Sequence, residues 1–471
     1  MNNTLESTKR LFRAYDVRGI FGSEINPELL FKIGISVCNI IKKDLKRKIK
    51  LFVGFDVRQT SEMLAYSFIS GSVSTGAEVV FLETPNPFGV VLFSGLSEKV
   101  DFTAFITASH LPPEMNGVKF YYGDGVGFSE QKIIEIRDEF ARIYDNTAES
   151  FVKWNEMLFL QKRTFFNEYV QFMKKNFSLS RPLNVIIDCG NGSASISAPT
   201  VFKNCGYNAT LQWTNVDPTF PNRSSEPNEE SLKVLCNQVK VKKPDFGVAF
   251  DGDGDRAVII DESGRVIPAD EIAIVVANYL SNFFEASIKN PLLLANIECS
   301  SAFEKNLSQK FDIKRIKVGH TFLTLDARIN KDKCLLGVES SGHYVFPQYF
   351  LFDDAMLLPM IVGKLLEQES KTLSEVLSNI PKMISYRKAF NCPDEKKFDV
   401  IKGLTKELKN SYPNMNNIDG LAISLNKDGY VLIRASNTEP KIRLFAEAST
   451  QNRVDEIVNI FGKALENSIA T

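Results

Sequence analysis

Three similar α/β domains with mixed or parallel sheets, followed by a smaller C-terminal α+β domain and set around a central cleft, form the fold this sequence predicts. Three observations carry the prediction. A length of 471 residues fits about three domains of ~150 residues, with two or four also allowed. Three successive stretches share one rhythm, a short continuous apolar run followed by helical periodicity, the pattern of buried parallel strands with crossover helices. Beyond residue 380 that rhythm stops and apolar residues alternate across a hairpin turn. These shifts put the domains at 1–154, 155–260, 261–380 and 381–471.

The first stretch opens with a strand over 51–55, runs through Asp56 into a helix over 60–74, and continues with strands over 78–82 and 101–106. It ends in Thr107-Ala-Ser-His110. The second has strands over 183–188, 209–213 and 245–250, with a helix-starting turn at 191–193, and ends in Asp251-Gly-Asp-Gly-Asp-Arg256. The third has strands over 291–296, 313–318 and 334–338 and ends in Glu339-Ser-Ser-Gly-His343. Ligands of open α/β sheets gather outside the carboxyl ends of strands, so three equivalent loops are expected to face one cleft. In the last region a helix over 399–408 precedes strands over 420–426, 428–434 and 441–447, the turn Asn426-Lys-Asp-Gly429 joins the first two, and an amphipathic helix over 452–467 closes the chain.

Composition excludes several classes. Fifty-six basic and 57 acidic residues leave a net charge of −1, which argues against a nucleic-acid surface over the whole chain. No run of about 18 apolar residues exists, so no membrane-spanning helix is expected. The polar N-terminus shows no secretory signal. The 7 cysteines are scattered and never in a Cys-x-x-Cys pair, which points to reduced cytoplasmic thiols.

Asp251, Asp253 and Asp255 alternate on an extended segment and so share one side, with glycines that let the backbone curl around a cation. Hard oxygen ligands with few neutral partners suit Mg²⁺. Two other readings stay open: a Ca²⁺ loop of the EF-hand type, with Glu262 at its twelfth position, and a plain Asp-Gly turn. Ser109 is expected to expose its hydroxyl on a small-residue turn next to His110, with Lys119 ten residues on. That set suits a nucleophile or a simple capping pair. The loop from Glu339 to His343 offers a carboxylate, hydroxyls and an imidazole suited to vicinal sugar hydroxyls. Arg434 with Ser436, Asn437 and Thr438, followed by Lys441 and Arg443, makes an anion nest or a charged surface turn. The 3 histidines, His110, His320 and His343, all lie in or beside these loops, where a group titrating near neutrality serves as acid, base or phosphate contact.

Together and in this order, the motifs resemble those of the α-D-phosphohexomutase superfamily, closest to its phosphomannomutase/phosphoglucomutase branch. The resemblance runs from Phe12-Arg-Ala-Tyr-Asp-Val-Arg-Gly19 to Glu447. It implies that Ser109 carries a phosphoryl group and, with Asp251, Asp253 and Asp255, binds Mg²⁺. It implies further that Glu339 and Ser341 read sugar hydroxyls and that Arg434, Ser436, Asn437, Thr438 and Arg443 bind the non-reacting phosphate. Tyr15, Arg18, Lys119, Arg256, His320 and His343 match further active-site positions, and Lys119 or His343 is the implied base. The expected activity is interconversion of hexose 1-phosphate and hexose 6-phosphate through a bisphosphorylated sugar, with catalytic amounts of hexose 1,6-bisphosphate as activator. A phosphoglucosamine mutase and a non-catalytic sugar-phosphate sensor are the alternatives. The implied partner is a small-molecule sugar phosphate, with no nucleic acid and no membrane, and the implied state is a monomer or weak homo-oligomer. Two positions depart from the family pattern: Leu111-Pro112 stands for Asn-Pro, and Val338 for Gly.

Overall fold

The computed structural model describes residues 5–145, 159–283, 289–425, 428–436 and 440–470. The chain divides into two compact units. The first comprises Met1–Ile267, Thr324–Lys331 and Gly342–Ser374, and the second Pro268–Leu323, Asp332–Ser341 and Glu375–Thr471.

The first unit contains two sheets. The larger has the order Asp16–Ile20, Met115–Tyr122, Phe102–Ile106, Lys50–Phe55, Glu78–Phe81, Leu160–Lys162. Its last four strands are parallel, and the first two join antiparallel. Phe102–Ile106 is buried at every residue, which explains its uninterrupted apolar run: a parallel strand covered on both faces has no solvent side to mark. Helix Pro27–Leu45 starts where the sequence chemistry places it, with Pro27 in the first turn and the Asn26 side chain accepting from Leu29 N–H at 2.9 Å. The smaller sheet has the order Ala257–Ile260, Phe246–Phe250, Asn184–Asp188, Asn208–Gln212, and only its first pair is antiparallel.

The second unit repeats the parallel theme with Asp312–Ile316, Leu292–Asn296 and Cys334–Val338. It adds an antiparallel sheet of Ile384–Asn391, Lys441–Ala448, Tyr430–Ala435 and Leu421–Ser424. Helices Lys397–Leu408 and Gln451–Ala470 cover one face of that sheet through Leu404, Val454 and Phe461. On the other face, Tyr430, Leu432 and Phe445 pack on Ile297, whose carbonyl accepts from Tyr430 Oη at 2.7 Å.

The expected strands of all three repeats are present within about two residues of their expected ends. Six strands among the described residues lie outside those expectations, the short Leu160–Lys162 and Tyr344–Val345 among them. Asp16–Ile20, Met115–Tyr122 and Ala257–Ile260 are antiparallel additions next to polar loops. Ile384–Asn391 is an edge strand with 7 of its 8 residues exposed, so no apolar alternation betrays it. Asn426 and Lys427 of the expected hairpin turn lie outside the described residues, but the strands flanking them pair antiparallel. All seven cysteines are free thiols. Among the described residues no helix is long and apolar enough to cross a membrane.

Candidate active site

In the first unit, two polar loops meet at the carboxyl ends of their strands. Phe102–Ile106 delivers Thr107 to His110, and Phe246–Phe250 delivers Asp251 to Arg256. The contact between the loops is intimate. A Cβ on Gly252 would sit 2.9 Å from the Ser109 carbonyl oxygen, so the residue there has none. Ser109 is 3 % exposed, a correction to the expected exposed hydroxyl, because the aspartate loop packs against it at Gly252. It holds the left-handed conformation, φ 57°, at a cost of about 1–2 kcal/mol for a non-glycine residue. Its N–H donates to Thr107 Oγ1 at 2.8 Å. The Thr107 hydroxyl faces two carboxylates, Asp56 Oδ2 at 2.7 Å and Asp253 Oδ2 at 3.0 Å, and thereby ties one loop to the other.

Lys119 enters from the antiparallel strand Met115–Tyr122, opposite Asp16 in the neighbouring strand. Its ammonium lies 2.7 Å from Asp255 Oδ2 and 3.0 Å from Asp253 Oδ2. Burial works to lower its pKa, but the two carboxylates prevail and hold it above the usual lysine value. Arg256 Nε lies 3.1 Å from Asp251 Oδ2, and its Nη1 lies 3.5 Å from Glu226. Arg18 is paired to Asp16 at 2.6 Å, and Tyr15 beside it is half-buried.

Asp251, Asp253 and Asp255 are each no more than 1 % exposed, and ligand atoms of the three lie within 4.8 Å of one another. Asp251 Oδ1 closes the loop by accepting from the N–H groups of Gly254, Asp255 and Arg256 at 3.0–3.1 Å. Burial, then repulsion from Asp255 and Asp253, pushes the Asp251 carboxyl well above the ordinary carboxylate range. Asp253 Oδ1 has no hydrogen-bond partner. Three buried carboxylates against the cations Lys119 and Arg256, with a bare oxygen among them, form a donor set that fits a hard divalent cation. The EF-hand alternative fails: the loop joins two antiparallel strands instead of two helices, and Glu262 is engaged by Ser374.

The histidines differ from one another. His110 Nδ1 lies 3.4 Å from Ser109 Oγ, and burial followed by the charges of Arg256 and Arg18 pushes its pKa down to about 2. It is therefore neutral at working pH, a correction to the expectation that every histidine here titrates near neutrality. His343 Nδ1 lies 2.5 Å from Asp353 Oδ2 and 3.9 Å from Asp255 Oδ1. An ionised carboxylate only accepts, so Asp353 requires the hydrogen on Nδ1 and leaves Nε2 as the basic nitrogen.

The second unit holds its own group. Glu339, 2 % exposed at the end of Cys334–Val338, accepts from Gly319 N–H at 2.6 Å, which sets His320 at the start of its helix beside it. Ser340 Oγ donates to Glu298 at 3.3 Å, while Ser341 is exposed. Arg434, 4 % exposed, pairs with Glu298 at 3.0 Å and Asp419 at 3.2 Å. Glu298 thus links the Arg434 turn to the Ser340 loop. Arg443 lies opposite Arg434 in the next strand and is exposed, and Ser436 is buried. Asn437 and Thr438 lie outside the described residues.

Within their units the expected residues therefore gather: Ser109, His110, Lys119, the three aspartates, Arg256 and His343 in one, Glu339, His320 and Arg434 in the other. Sequence reasoning missed Arg58, Glu226, Asp353, Glu298 and Asp419. Only Asp353 left a readable trace, two adjacent carboxylates inside the apolar run from Phe350 to Met360.

Four family models match this chain in order. They are the phosphoglucomutase/phosphomannomutase alpha/beta/alpha domains I, II and III, over residues 9–147, 167–264 and 268–384, and the C-terminal domain, over 388–463. A protein of Thermococcus kodakarensis named phosphoglucomutase/phosphomannomutase is 31 % identical over 98 % of this chain and 99 % of its own length. A protein of Methanopyrus kandleri named "Probable phosphoglucosamine mutase" is 30 % identical over 97 % of this chain and 99 % of its own. The crystal structure of a phosphoglucomutase/phosphomannomutase family protein from Burkholderia thailandensis superposes with a TM-score of 0.85, at 24 % identity, over 98 % of both chains.

Proposed function

Because the chain belongs to the phosphoglucomutase/phosphomannomutase family of phosphohexomutase enzymes, we propose that it interconverts hexose 1-phosphates and hexose 6-phosphates of mannose, glucose or both, through phosphorylated Ser109. The observation that carries this reading is the junction of the Ser109 loop with the aspartate loop through Thr107, Lys119 and Gly252. Phosphoryl transfer needs positive charge held where the group is exchanged, and binding alone needs no phosphoryl carrier.

In the proposed reaction the P–O bond to Ser109 Oγ breaks as a bond forms to the free hydroxyl of the sugar phosphate. His343 Nε2 takes the hydroxyl proton, and Ser109 Oγ recovers one. The bisphosphorylated sugar turns end for end and returns its other phosphoryl group to Ser109, with free hexose 1,6-bisphosphate as the activator that charges an unphosphorylated enzyme. Asp251, Asp253 and Asp255 would hold Mg²⁺, which when bound supplies charge neutralisation at the transferring phosphoryl group. Lys119 and Arg256 add fixed positive charge, and Arg18 stands beside them. Arg434 with Ser436, Asn437, Thr438 and Arg443 would hold the phosphate that does not react, while Glu339, Ser341 and His320 address the sugar. The hydrogen on His343 Nδ1 favours His343 over Lys119 as base, since Lys119 is committed to two carboxylates.

The test is interconversion of glucose 1-phosphate and glucose 6-phosphate with a trace of glucose 1,6-bisphosphate. Wild type should turn over and carry about 80 Da of extra mass on Ser109. Ser109→Ala should lose both, and near-normal turnover by that variant would remove the serine from the mechanism. The Methanopyrus kandleri relative's name supports a second reading, a phosphoglucosamine mutase. Comparing kcat/KM for the 1-phosphates of glucose, mannose, glucosamine and N-acetylglucosamine decides between them.

A further inference from the structure

The residue that holds Ser109 in its strained backbone conformation comes from a different strand. Arg58 follows strand Lys50–Phe55, is 3 % exposed, and turns four of its guanidinium N–H bonds onto one loop. A guanidinium has five N–H groups. Here Nη2 donates to the carbonyls of Ser109 and Leu111, both at 2.6 Å, and Nη1 to those of Pro112 at 2.7 Å and Met115 at 3.1 Å. The fifth, on Nε, goes to Asp56 Oδ2 at 3.1 Å. Asp56 in turn takes the Arg58 N–H at 3.0 Å, and Ser61 Oγ and Thr107 Oγ1 at 2.5 and 2.7 Å. The His110 carbonyl, which this fork skips, is met by Ser225 Oγ at 2.6 Å. Phe220 closes the other side, its ring 5.6 Å from the guanidinium carbon.

We propose that Arg58 is a positioning residue for phosphoryl transfer: its saturated guanidinium, anchored on Asp56, fixes the main chain of the Ser109 loop against the aspartate loop. With every donor engaged, Arg58 has none left for a phosphate, so its influence passes through the loop it holds. The inference also accounts for Leu111. The loop is gripped by main-chain carbonyls, so the side chain at that position is free to change. The catalytic consequence rests on the reading of Ser109 as phosphoryl carrier.

Arg58→Lys keeps the charge but offers three donors from one point, too few and too compact for four carbonyls and a carboxylate. It should lower kcat about 10²-fold, the usual cost of a misplacement near 1 Å. KM for glucose 1-phosphate should change little, because none of the residues proposed for the distal phosphate and the sugar is a partner of Arg58. Guanidinium chloride at non-denaturing concentration should restore part of the kcat of Arg58→Ala, and ammonium should not. Hydrogen exchange of amides between residues 108 and 116 should rise in Arg58→Lys, while strand Lys50–Phe55 keeps its protection. A folded Arg58→Lys enzyme with wild-type kcat, or unchanged exchange in that loop, overturns the proposal. Exchange needs no turnover, so it judges the brace even if wild type takes no phosphoryl group on Ser109, a result that would instead end the reading of the serine.

Discussion

Asp353 Oδ2 lies 2.5 Å from His343 Nδ1, and neither group is open to solvent: Asp353 is 0 % and His343 9 % exposed. An acceptor-only partner at that distance selects one imidazole tautomer, and general-base work depends on it. Asp353→Asn, whose amide can turn its donor to the ring, should lower kcat on the order of 10²–10⁴-fold with KM little changed. ¹⁵N-histidine NMR checks the cause directly, because the chain contains only 3 histidines and the signal that changes tautomer is readily assigned. An unchanged tautomer with normal kcat would remove Asp353 from the mechanism.

The aspartate trio predicts a stability effect separate from catalysis. A cation bound only by the folded state raises the unfolding free energy by about 2.7 kcal/mol at a hundred times its Kd. Thermal unfolding of wild type should therefore shift upward with Mg²⁺, and Asp253→Asn should abolish most of the shift, because Asp253 brings the bare oxygen. A shift of equal size in the variant would place the ion elsewhere.

Arg434 predicts a binding effect. Charge-assisted bonds to phosphate contribute about 1.5–3 kcal/mol, so Arg434→Ala should raise KM for hexose phosphate roughly 10- to 100-fold with a smaller effect on kcat. Glu298 competes for the same guanidinium at 3.0 Å. Glu298→Gln should therefore leave KM equal or lower, measured under the same assay. A rise in both variants would mean that the ion pair matters only for folding.

Asp354 predicts the pH dependence of stability. Burial is the main cause that raises its carboxyl to about 7, against hydrogen bonds from Met356 N–H at 3.0 Å and Tyr169 Oη at 2.8 Å that pull it down. The folded state thus binds this proton more tightly than the unfolded chain does. Its contribution is fully present below the ordinary aspartate value of 3.8 and is lost as pH rises through about 7. The loss is at most roughly 1.4 kcal/mol per pH unit across that window. Asp354→Asn should flatten the profile of Tm between pH 5 and 8 and raise Tm at the alkaline end. A profile identical to wild type would show that Asp354 does not titrate there.

Asp251, Asp253 and Asp255, Ser109 with His110, and the apolar runs that present them were legible because each is local. A carboxylate every second residue, a hydroxyl on a small-residue turn, and uninterrupted burial of a parallel strand all follow from neighbours in the chain. The strand Ile384–Asn391 was illegible, since its partner Lys441–Ala448 supplies the pairing and solvent covers the rest. Arg58 and Glu298 look in the sequence like ordinary charged residues. Arg58 earns its role only once Ser109, Leu111, Pro112 and Met115 turn their carbonyls toward it across some fifty residues of chain. The amino-acid order by itself determined which chemical groups exist and at which strand ends they emerge. Folding alone decided which of them touch, which histidine stays neutral and which carboxylate keeps its proton, because desolvation and charge pairing act through space and have no signature along the chain.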